Sequence, residues 1–174
     1  MNVNNDTGIT IQLTVNGQEI ERTVPLAMTL RELLHRDLKH SEVKFGCGEG
    51  VCGACMVLLD GEPVASCLLL AAQAIGRNVV TVAGLTGAHD DQASAPVQSL
   101  QAHLLTKESF QCGYCACGMQ ISAAHALRSN NQPALSEQDI RSALSGNLCR
   151  CTGYQHIVTA VKVAAERMRA GDGG

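Results

Sequence analysis

Eight of the nine cysteines in this 174-residue chain fall into two groups whose spacing is typical of metal ligands. In the first group, Cys47, Cys52 and Cys55 form C-x4-C-x2-C, and Cys67 follows after eleven intervening residues. This opening matches the plant-type run of [2Fe–2S] ligands, in which a loop wraps around the cluster and a distant cysteine completes the set. The glycines between these cysteines fit, because the backbone must bend tightly and bring its N–H groups close to the sulfurs. The spacing predicts one [2Fe–2S] cluster, and a four-cysteine zinc site is the less favoured alternative because zinc sites usually use two C-x2-C pairs.

The second group is less specific when it is taken alone. Cys112 and Cys115 form C-x2-C, and after thirty-three residues Cys149 and Cys151 form C-x-C. A C-x2-C pair also suits zinc or a redox-active dithiol. All four cysteines lie next to ends of predicted helices, where their thiolates could meet and hold a second cluster. Arg150 either places a cation beside this negatively charged site or is an ordinary solvated surface arginine.

Composition and charge exclude several classes of protein. The formal net charge is −3 and the pI is about 6.0, and the sequence has no run of Lys and Arg, which argues against a nucleic-acid or membrane-surface binder. No apolar stretch is long enough to span a bilayer, and the first residues do not resemble a secretory signal. The sequence therefore predicts a cytoplasmic protein. Disulfides are disfavoured in that reducing compartment, and an odd number of cysteines cannot pair completely.

The segments around the first cysteine group read as β-rich. Residues 9–15 alternate apolar and polar side chains, Asn16-Gly17 is a two-residue turn signal, and 18–24 is the predicted return strand. A helix is predicted to begin after Thr29, with Glu32 as its capping-box partner. Further strands are predicted at 56–59, 63–66 and 78–82. Together these elements suit a small mixed sheet with one helix, of the ferredoxin-like kind.

The character of the chain changes near residue 85, where helical periodicity begins. Residues 84–95 are rich in small and polar side chains and are predicted to be a linker. Four helices are predicted after it, and the third is capped by Ser136 with Asp139. Their apolar sides are Val97, Leu100, Leu104 and Leu105; Met119, Ala123, Ala126 and Leu127; Ile140, Ala143 and Leu144; and Ile157, Ala160, Val161, Ala164 and Met168. The predicted domains are therefore 1–84, ferredoxin-like, and 85–174, a small helical bundle.

Four motifs together resemble the iron–sulfur subunit of the molybdenum hydroxylases. These motifs are GCGEGVCGAC, SCL around Cys67, QCGYC ending at Cys115, and NLCRCTGY from Asn147 to Tyr154. The family includes xanthine dehydrogenase, aldehyde oxidoreductases, aerobic carbon monoxide dehydrogenase and bacterial N-heterocycle hydroxylases, and the likeness runs from about Ile9 to Met168. It implies an α+β chain with a plant-ferredoxin-like β-grasp domain followed by a four-helix bundle domain, each holding one [2Fe–2S] cluster.

The resemblance also implies partners and an electron path. Electrons would pass from a molybdopterin site in a large subunit, through the two clusters, to an FAD subunit or another acceptor. The helical-domain cluster would lie nearer the molybdopterin, with Cys151 directed toward the pterin and Gln111 hydrogen-bonded to it. Alternatively, Gln111 hydrogen-bonds only the backbone of the neighbouring cysteine loop. No catalytic residue is expected in this chain, because the molybdenum and substrate sites would lie in the large subunit.

One departure from the family pattern concerns the ninth cysteine. Many relatives have Cys-Thr-Pro-Gly where this chain has Cys115-Ala116-Cys117-Gly118. Cys117 could be a spare ligand or a redox-sensitive thiol, but a small buried residue at a helix start is favoured.

Two other functions stay open from the sequence. The chain could be a free-standing two-cluster ferredoxin, although a net charge of −3 is weak for the acidic face of such a carrier. It could instead be a zinc-stabilised interaction protein, which would be colourless.

Overall fold

A mixed five-stranded sheet and five α-helices make up the structure, a computed structural model that describes residues 8–86, 94–106, 109–129 and 135–170. The strands are β1 (Gly8–Val15), β2 (Gln18–Pro25), β3 (Met56–Leu59), β4 (Glu62–Ala65) and β5 (Asn78–Val80). The helices are α1 (Leu30–Glu32), α2 (Ser94–Thr106), α3 (Ala116–Ser129), α4 (Glu137–Ala143) and α5 (Gln155–Ala170). A π-helical turn, Leu33–Asp37, continues α1. No helix in these described ranges is long and apolar enough to cross a membrane.

The sheet has the strand order β2-β1-β5-β3-β4. β1 and β2 are antiparallel, with Val15 opposite Gln18, and the turn between them places Asn16 and Gly17 at φ values of 49° and 78°. Both residues of a type I′ turn need positive φ, which explains the Asn-Gly pair. β5 pairs parallel with β1 and antiparallel with β3, so it joins the two hairpins into one sheet. The predicted strands are confirmed, and the mixed sheet fits a ferredoxin-like domain.

The first core lies between the sheet and α1 with its π-helical continuation. The alternating side chains of β1 place Ile11, Leu13 and Val15 in the interior, where they join buried leucines of the helix. The helix starts at the predicted capping box, because Thr29 Oγ1 accepts from the Glu32 backbone N–H at 3.2 Å and the Glu32 carboxylate accepts from the Thr29 N–H at 3.1 Å. This box sets the start of the helix that crosses the sheet.

The second core is formed by residues from all four predicted helices of the later part, α2 to α5. Its fully buried side chains include Leu100, Met119, Ile140 and Ile157. One predicted core residue is wrong: Leu105 is 80% exposed, whereas its neighbour Leu104, predicted with it, is buried. The side chain of Met168 lies outside the described residues.

A third apolar cluster joins the two parts. It contains Leu58, Val80, Leu85, Val97, Ile121 and Ala124. Most of the predicted linker, residues 87–93, lies outside the described residues, but Leu85 at its start is fully buried in this cluster. The sheet and the helices are therefore packed together through β3, β5 and α3.

Candidate metal centres

The loop from Gly46 to Cys55 leads into β3 and is shaped by glycines. Gly48, Gly50 and Gly53 adopt φ values of 73°, 74° and 69°, a region that side-chain-bearing residues rarely enter. At Gly46 the reason is space, since a Cβ there would lie 2.7 Å from the sulfur of Cys52. The backbone can therefore turn closely around the sulfurs.

This curvature directs backbone N–H groups at one sulfur. The N–H groups of Glu49, Val51 and Cys52 donate to Cys47 Sγ at 3.4, 3.3 and 3.4 Å. In return, the Cys47 N–H donates to Cys52 Sγ at 3.4 Å. The backbone N–H groups of Glu49 and Cys52 lower the pKa of the exposed Cys47 thiol to about 6, because they stabilise the thiolate. The loop is thus prepared to hold an anionic sulfur, the form that ligates metals.

Cys55 and Cys67 form the inner side of the first group. Cys55 is buried at the start of β3, and the thiols of the two residues interact. Ser66 fixes the segment of Cys67 to that of Cys55 by donating both its hydroxyl and its N–H to the Cys55 carbonyl, at 2.7 and 3.4 Å. Burial raises the pKa of the Cys55 thiol to about 11, so a metal has to displace its proton.

The second group comes from two distant segments. Cys112 and Cys115 lie just before α3, whereas Cys149 and Cys151 lie between α4 and α5. The sulfurs of Cys112 and Cys151 are 3.6 Å apart, and the buried Cys115 thiol interacts with that of Cys149. The Tyr114 backbone N–H lowers the pKa of exposed Cys112, while burial raises that of Cys115 to about 12.

Tyr154 and Thr152 hold the C-x-C segment in place. The Tyr154 hydroxyl accepts from the Cys149 N–H and donates to the Asn147 carbonyl, each at 2.8 Å. The Thr152 hydroxyl lies 3.2 Å from Cys149 Sγ. Tyr154 has a positive φ of 69°, so the chain turns sharply between the cysteines and α5. These contacts explain why Thr and Tyr follow the C-x-C pair.

The sulfurs therefore meet as four pairs: Cys47 with Cys52, Cys55 with Cys67, Cys112 with Cys151, and Cys115 with Cys149. A [2Fe–2S] cluster takes four thiolates, two on each iron. Tetrahedral geometry with metal–sulfur bonds of about 2.3 Å places two such sulfurs roughly 3.7 Å apart, which the Cys112–Cys151 separation of 3.6 Å fits. Within the described ranges, no three His, Cys, Asp or Glu side chains converge as they would on a single metal ion. Two sulfur pairs in each group are the number that a two-iron cluster takes, one pair on each iron.

The two cysteine groups are in direct contact through their loops. The Leu148 N–H donates to the Cys52 carbonyl at 2.9 Å, and Asn147, only 2% exposed, donates its side-chain amide to the Gly53 carbonyl at 3.2 Å. At Gly118 in α3, an added Cβ would lie 1.9 Å from the Gly53 carbonyl oxygen. Sequence reasoning missed Asn147 and Gly118, because nothing local indicates that a glycine loop packs against them.

A surface groove of about 890 Å³ lies beside the second group. It is lined by both Gln111 and Cys151, together with Leu104, Phe110, Gly153 and His156. Gln111 is exposed, and its side chain makes no hydrogen bond within the described ranges. The structure thus brings the two predicted pterin-facing residues to one groove.

The two remaining candidates lie at the edge of the second group. Cys117 is half-buried in the first turn of α3, and burial raises the pKa of its thiol. Arg150 is exposed between the two C-x-C cysteines.

Two family models match the chain and together span most of it. A "2Fe-2S iron-sulfur cluster binding domain" matches residues 13–78, and a "[2Fe-2S] binding domain" matches residues 81–162. Among named relatives, the caffeine dehydrogenase subunit gamma of Pseudomonas sp. (strain CBB1) is 42% identical over 153 residues, covering 87% of this chain and 88% of the relative.

Solved structures of two oxidoreductases contain the same fold. A chain of quinoline 2-oxidoreductase from Pseudomonas putida 86 superposes with a TM-score of 0.82 at 38% identity, covering 95% of this chain and 98% of that one. Aldehyde oxidoreductase from Desulfovibrio desulfuricans ATCC 27774 gives a TM-score of 0.80 at 36% identity, covering 92% of this chain but only 17% of the other. The same unit therefore occurs both as a separate chain and as part of a longer one.

Proposed function

The chain belongs to the [2Fe–2S] iron–sulfur subunits of the molybdenum hydroxylases, and we propose a specific ligand set and electron path for its electron-transfer role. In this proposal Cys47, Cys52, Cys55 and Cys67 hold one cluster. The other is held by Cys112, Cys115, Cys149 and Cys151. When bound, each cluster takes up and gives back one electron at a time.

The observation that carries the ligand set is the arrangement of the eight sulfurs in four pairs, two pairs in each group. Two pairs per group supply the two sulfurs that each iron of a [2Fe–2S] cluster takes from the protein. The N–H groups around Cys47 and the Thr152 hydroxyl beside Cys149 stabilise thiolates at both centres. Cys117 stands outside all four pairs, so we assign it no ligand role.

We further propose that the chain divides into a ferredoxin-like β-grasp domain, 1–84, and a four-helix bundle domain, 85–174. In support, the sheet is complete at Val80, and all four helices of the second core follow residue 93. The two family matches also meet between residues 78 and 81. The bundle arrangement is proposed from the shared core of α2 to α5.

The partners we propose are a large molybdopterin-binding subunit and an FAD-binding subunit. The groove beside Cys151 is assigned to the molybdopterin partner, since it exposes a carboxamide at Gln111 that can both donate to and accept from a pterin ring. Cys47 is exposed in the first loop and is assigned to the side that faces the flavin. Electrons would then enter at the Cys112 group and leave at the Cys47 group.

The contact between the two loops supports direct electron transfer between the two groups. Leu148 precedes Cys149 of the second ligand set, and its N–H donates to the carbonyl of Cys52, which belongs to the first. Beside this bond, the buried Asn147 amide donates to the Gly53 carbonyl, and the buried Gly118 lies against the same oxygen. The chain itself thus supplies a short connection between its two proposed centres.

The ligand set is tested by metal analysis and electron paramagnetic resonance of the purified chain or complex. We expect four irons per chain and two distinct [2Fe–2S] signals after reduction. Two irons, a cubane signal or a colourless zinc protein would contradict the assignment.

The electron path needs a structure of the whole complex. We expect Cys151 and Gln111 to lie nearest the pterin. If the Cys47 group is nearest instead, the path is reversed and the role of Gln111 is wrong.

A further inference from the structure

Arg31 is a buried cation close to the first cysteine group. The residue is only 6% exposed, and its guanidinium carbon lies 4.6 Å from the centroid of the Phe45 ring. No carboxylate in the described ranges forms an ion pair with it. A buried charge without an ionic partner is costly, and a cation–π contact recovers only part of that cost. A negative charge close to Arg31 would therefore lower the free-energy cost of burying its guanidinium.

The backbone of Arg31 and its stacking partner reach both segments that carry the first ligand set. The Arg31 N–H donates at 3.1 Å to the carbonyl of Ser66, the residue before Cys67. Phe45 precedes Cys47 by two residues, and one of its ring atoms would lie 3.3 Å from a Cβ at Gly48, so the ring lies against the cysteine loop at Gly48. Arg31 thus lies between the Cys47 loop and the Cys67 segment.

The neighbouring carboxylate makes its close contacts with other residues. Glu32 accepts hydrogen bonds from Thr29 and pairs with Arg36 at 3.2 Å, so it acts on Arg31 only as a weaker charge at longer range. The second cysteine group has an arginine as well, Arg150, but this residue is exposed and its charge is screened by water and salt. The two groups therefore differ in having a buried and an exposed cation.

We propose that Arg31 is a positioning residue that raises the reduction potential of the first cluster relative to the second. The inference rests on the ligand set proposed above. A cluster held by four thiolates gains one negative charge on reduction, and a fixed buried cation stabilises that reduced form. Its effect is to make electron transfer toward the Cys47 group more favourable, which matches an exit for electrons on that side.

The test is a redox titration of the full chain with both clusters, in which the two paramagnetic signals are followed separately. Cys67→Ser identifies the signal of the first cluster. Arg31→Met removes the charge but keeps an apolar side chain over Phe45, and Arg31→Lys keeps the charge. A unit charge at an effective dielectric constant of about 20 and on the order of 10 Å away changes the redox equilibrium roughly tenfold.

We expect Arg31→Met to shift the redox equilibrium of the first cluster roughly tenfold toward the oxidised form, which lowers its potential by about 59 mV for a one-electron couple. Arg31→Lys keeps the charge and should leave the potential of the first cluster close to that of the unmodified chain. The second cluster is an internal control whose potential should not change in either variant. An unchanged first cluster, or equal shifts of both clusters, would overturn the proposal. If Arg31→Met fails to fold, Arg31→Gln is titrated in its place with the same criteria. Absence of [2Fe–2S] signals in the unmodified chain would instead contradict the ligand set.

Discussion

The two cysteine groups arrive at the same arrangement of paired sulfurs by different routes. Three cysteines of the first group lie on one short glycine-rich loop, whose own N–H groups point at Cys47 Sγ. The second group has no such loop: its pairs come from segments on either side of α3 and α4. The first centre is therefore organised mainly by local backbone conformation, and the second by the packing of helices.

This difference shows where each centre is vulnerable. A local loop is damaged by changes that alter its own φ values or the space around its glycines. A centre built from distant segments depends on the core that holds them, here the buried residues Met119, Ile140 and Ile157. The contact of Gly53 with Asn147 and Gly118 depends both on the conformation of the first loop and on the packing of the helices.

The largest effect is expected from removing a buried ligand of one group. Cys55→Ala should abolish the first cluster and Cys115→Ala the second, each with loss of half the iron and of one paramagnetic signal. Cys117→Ala is the control and should keep both signals and the full iron content. If either ligand variant loses both clusters, the two centres do not form independently and the comparison fails.

A smaller effect is expected at the glycine where the first loop contacts the second group. Gly53→Ala forces a Cβ to within 2.4 Å of both the Asn147 amide and the Gly146 carbonyl, at a φ of 69°. We expect the free energy of unfolding in urea to fall by roughly 3 kcal/mol.

Gly76→Ala is the matched control for this change. Gly76 has nearly the same φ, 70°, but nothing lies within 4 Å of the added Cβ. Backbone strain alone should therefore cost about 1 kcal/mol. Equal losses in the two variants would show that the contact between the loops contributes nothing.

Asn147→Ala tests the same contact from the side of the second group. The change removes the buried amide that donates to the Gly53 carbonyl, and should lower the free energy of unfolding by about 2 kcal/mol. Ser145→Ala, in the same segment but exposed, should stay within about 0.5 kcal/mol of the unmodified chain. Urea unfolding of both variants measures the difference, and a loss at Asn147 no larger than at Ser145 would contradict a bridging role.

The smallest effects concern the two capping boxes, one in each part. Backbone N–H donation from Thr29 lowers the pKa of Glu32, and the Ser136 hydroxyl lowers that of Asp139. Since both folded-state pKa values lie below the ordinary values of 4.5 and 3.8, each carboxylate stabilises the fold above those values. This stabilisation is lost as the pH falls through the folded-state pKa.

Glu32→Gln and Asp139→Asn should therefore lower the free energy of unfolding at pH 7. In strong acid, both variants should have the same free energy of unfolding as the unmodified chain. Urea unfolding at several pH values measures both differences. Added salt should weaken the Glu32 effect more, because Arg36 and Arg31 contribute to it, whereas no cation in the described ranges acts on Asp139. Equal salt dependence would contradict this distinction between the two boxes.

Features that depend on near neighbours in the chain were predictable from the sequence. The Asn16-Gly17 turn, both capping boxes and the alternation of β1 are confirmed, because turn chemistry, capping and period-two patterning act over a few residues. The exposed Leu105 shows the weakness of periodicity at a helix end, where the helix passes beyond its core. No pattern within α2 distinguishes Leu104 from Leu105.

The sequence by itself determined the two cysteine groups, the family likeness and the order of the elements, since ligand spacing and local propensity are written in consecutive residues. Only the tertiary structure decided which sulfurs face each other, as in the pairing of Cys112 with Cys151 across α3 and α4. It also revealed the packing of Gly118 on Gly53 and the burial of Arg31 against Phe45. These features depend on contacts between residues far apart in the chain, and such contacts exist only once the sheet and helices have packed together.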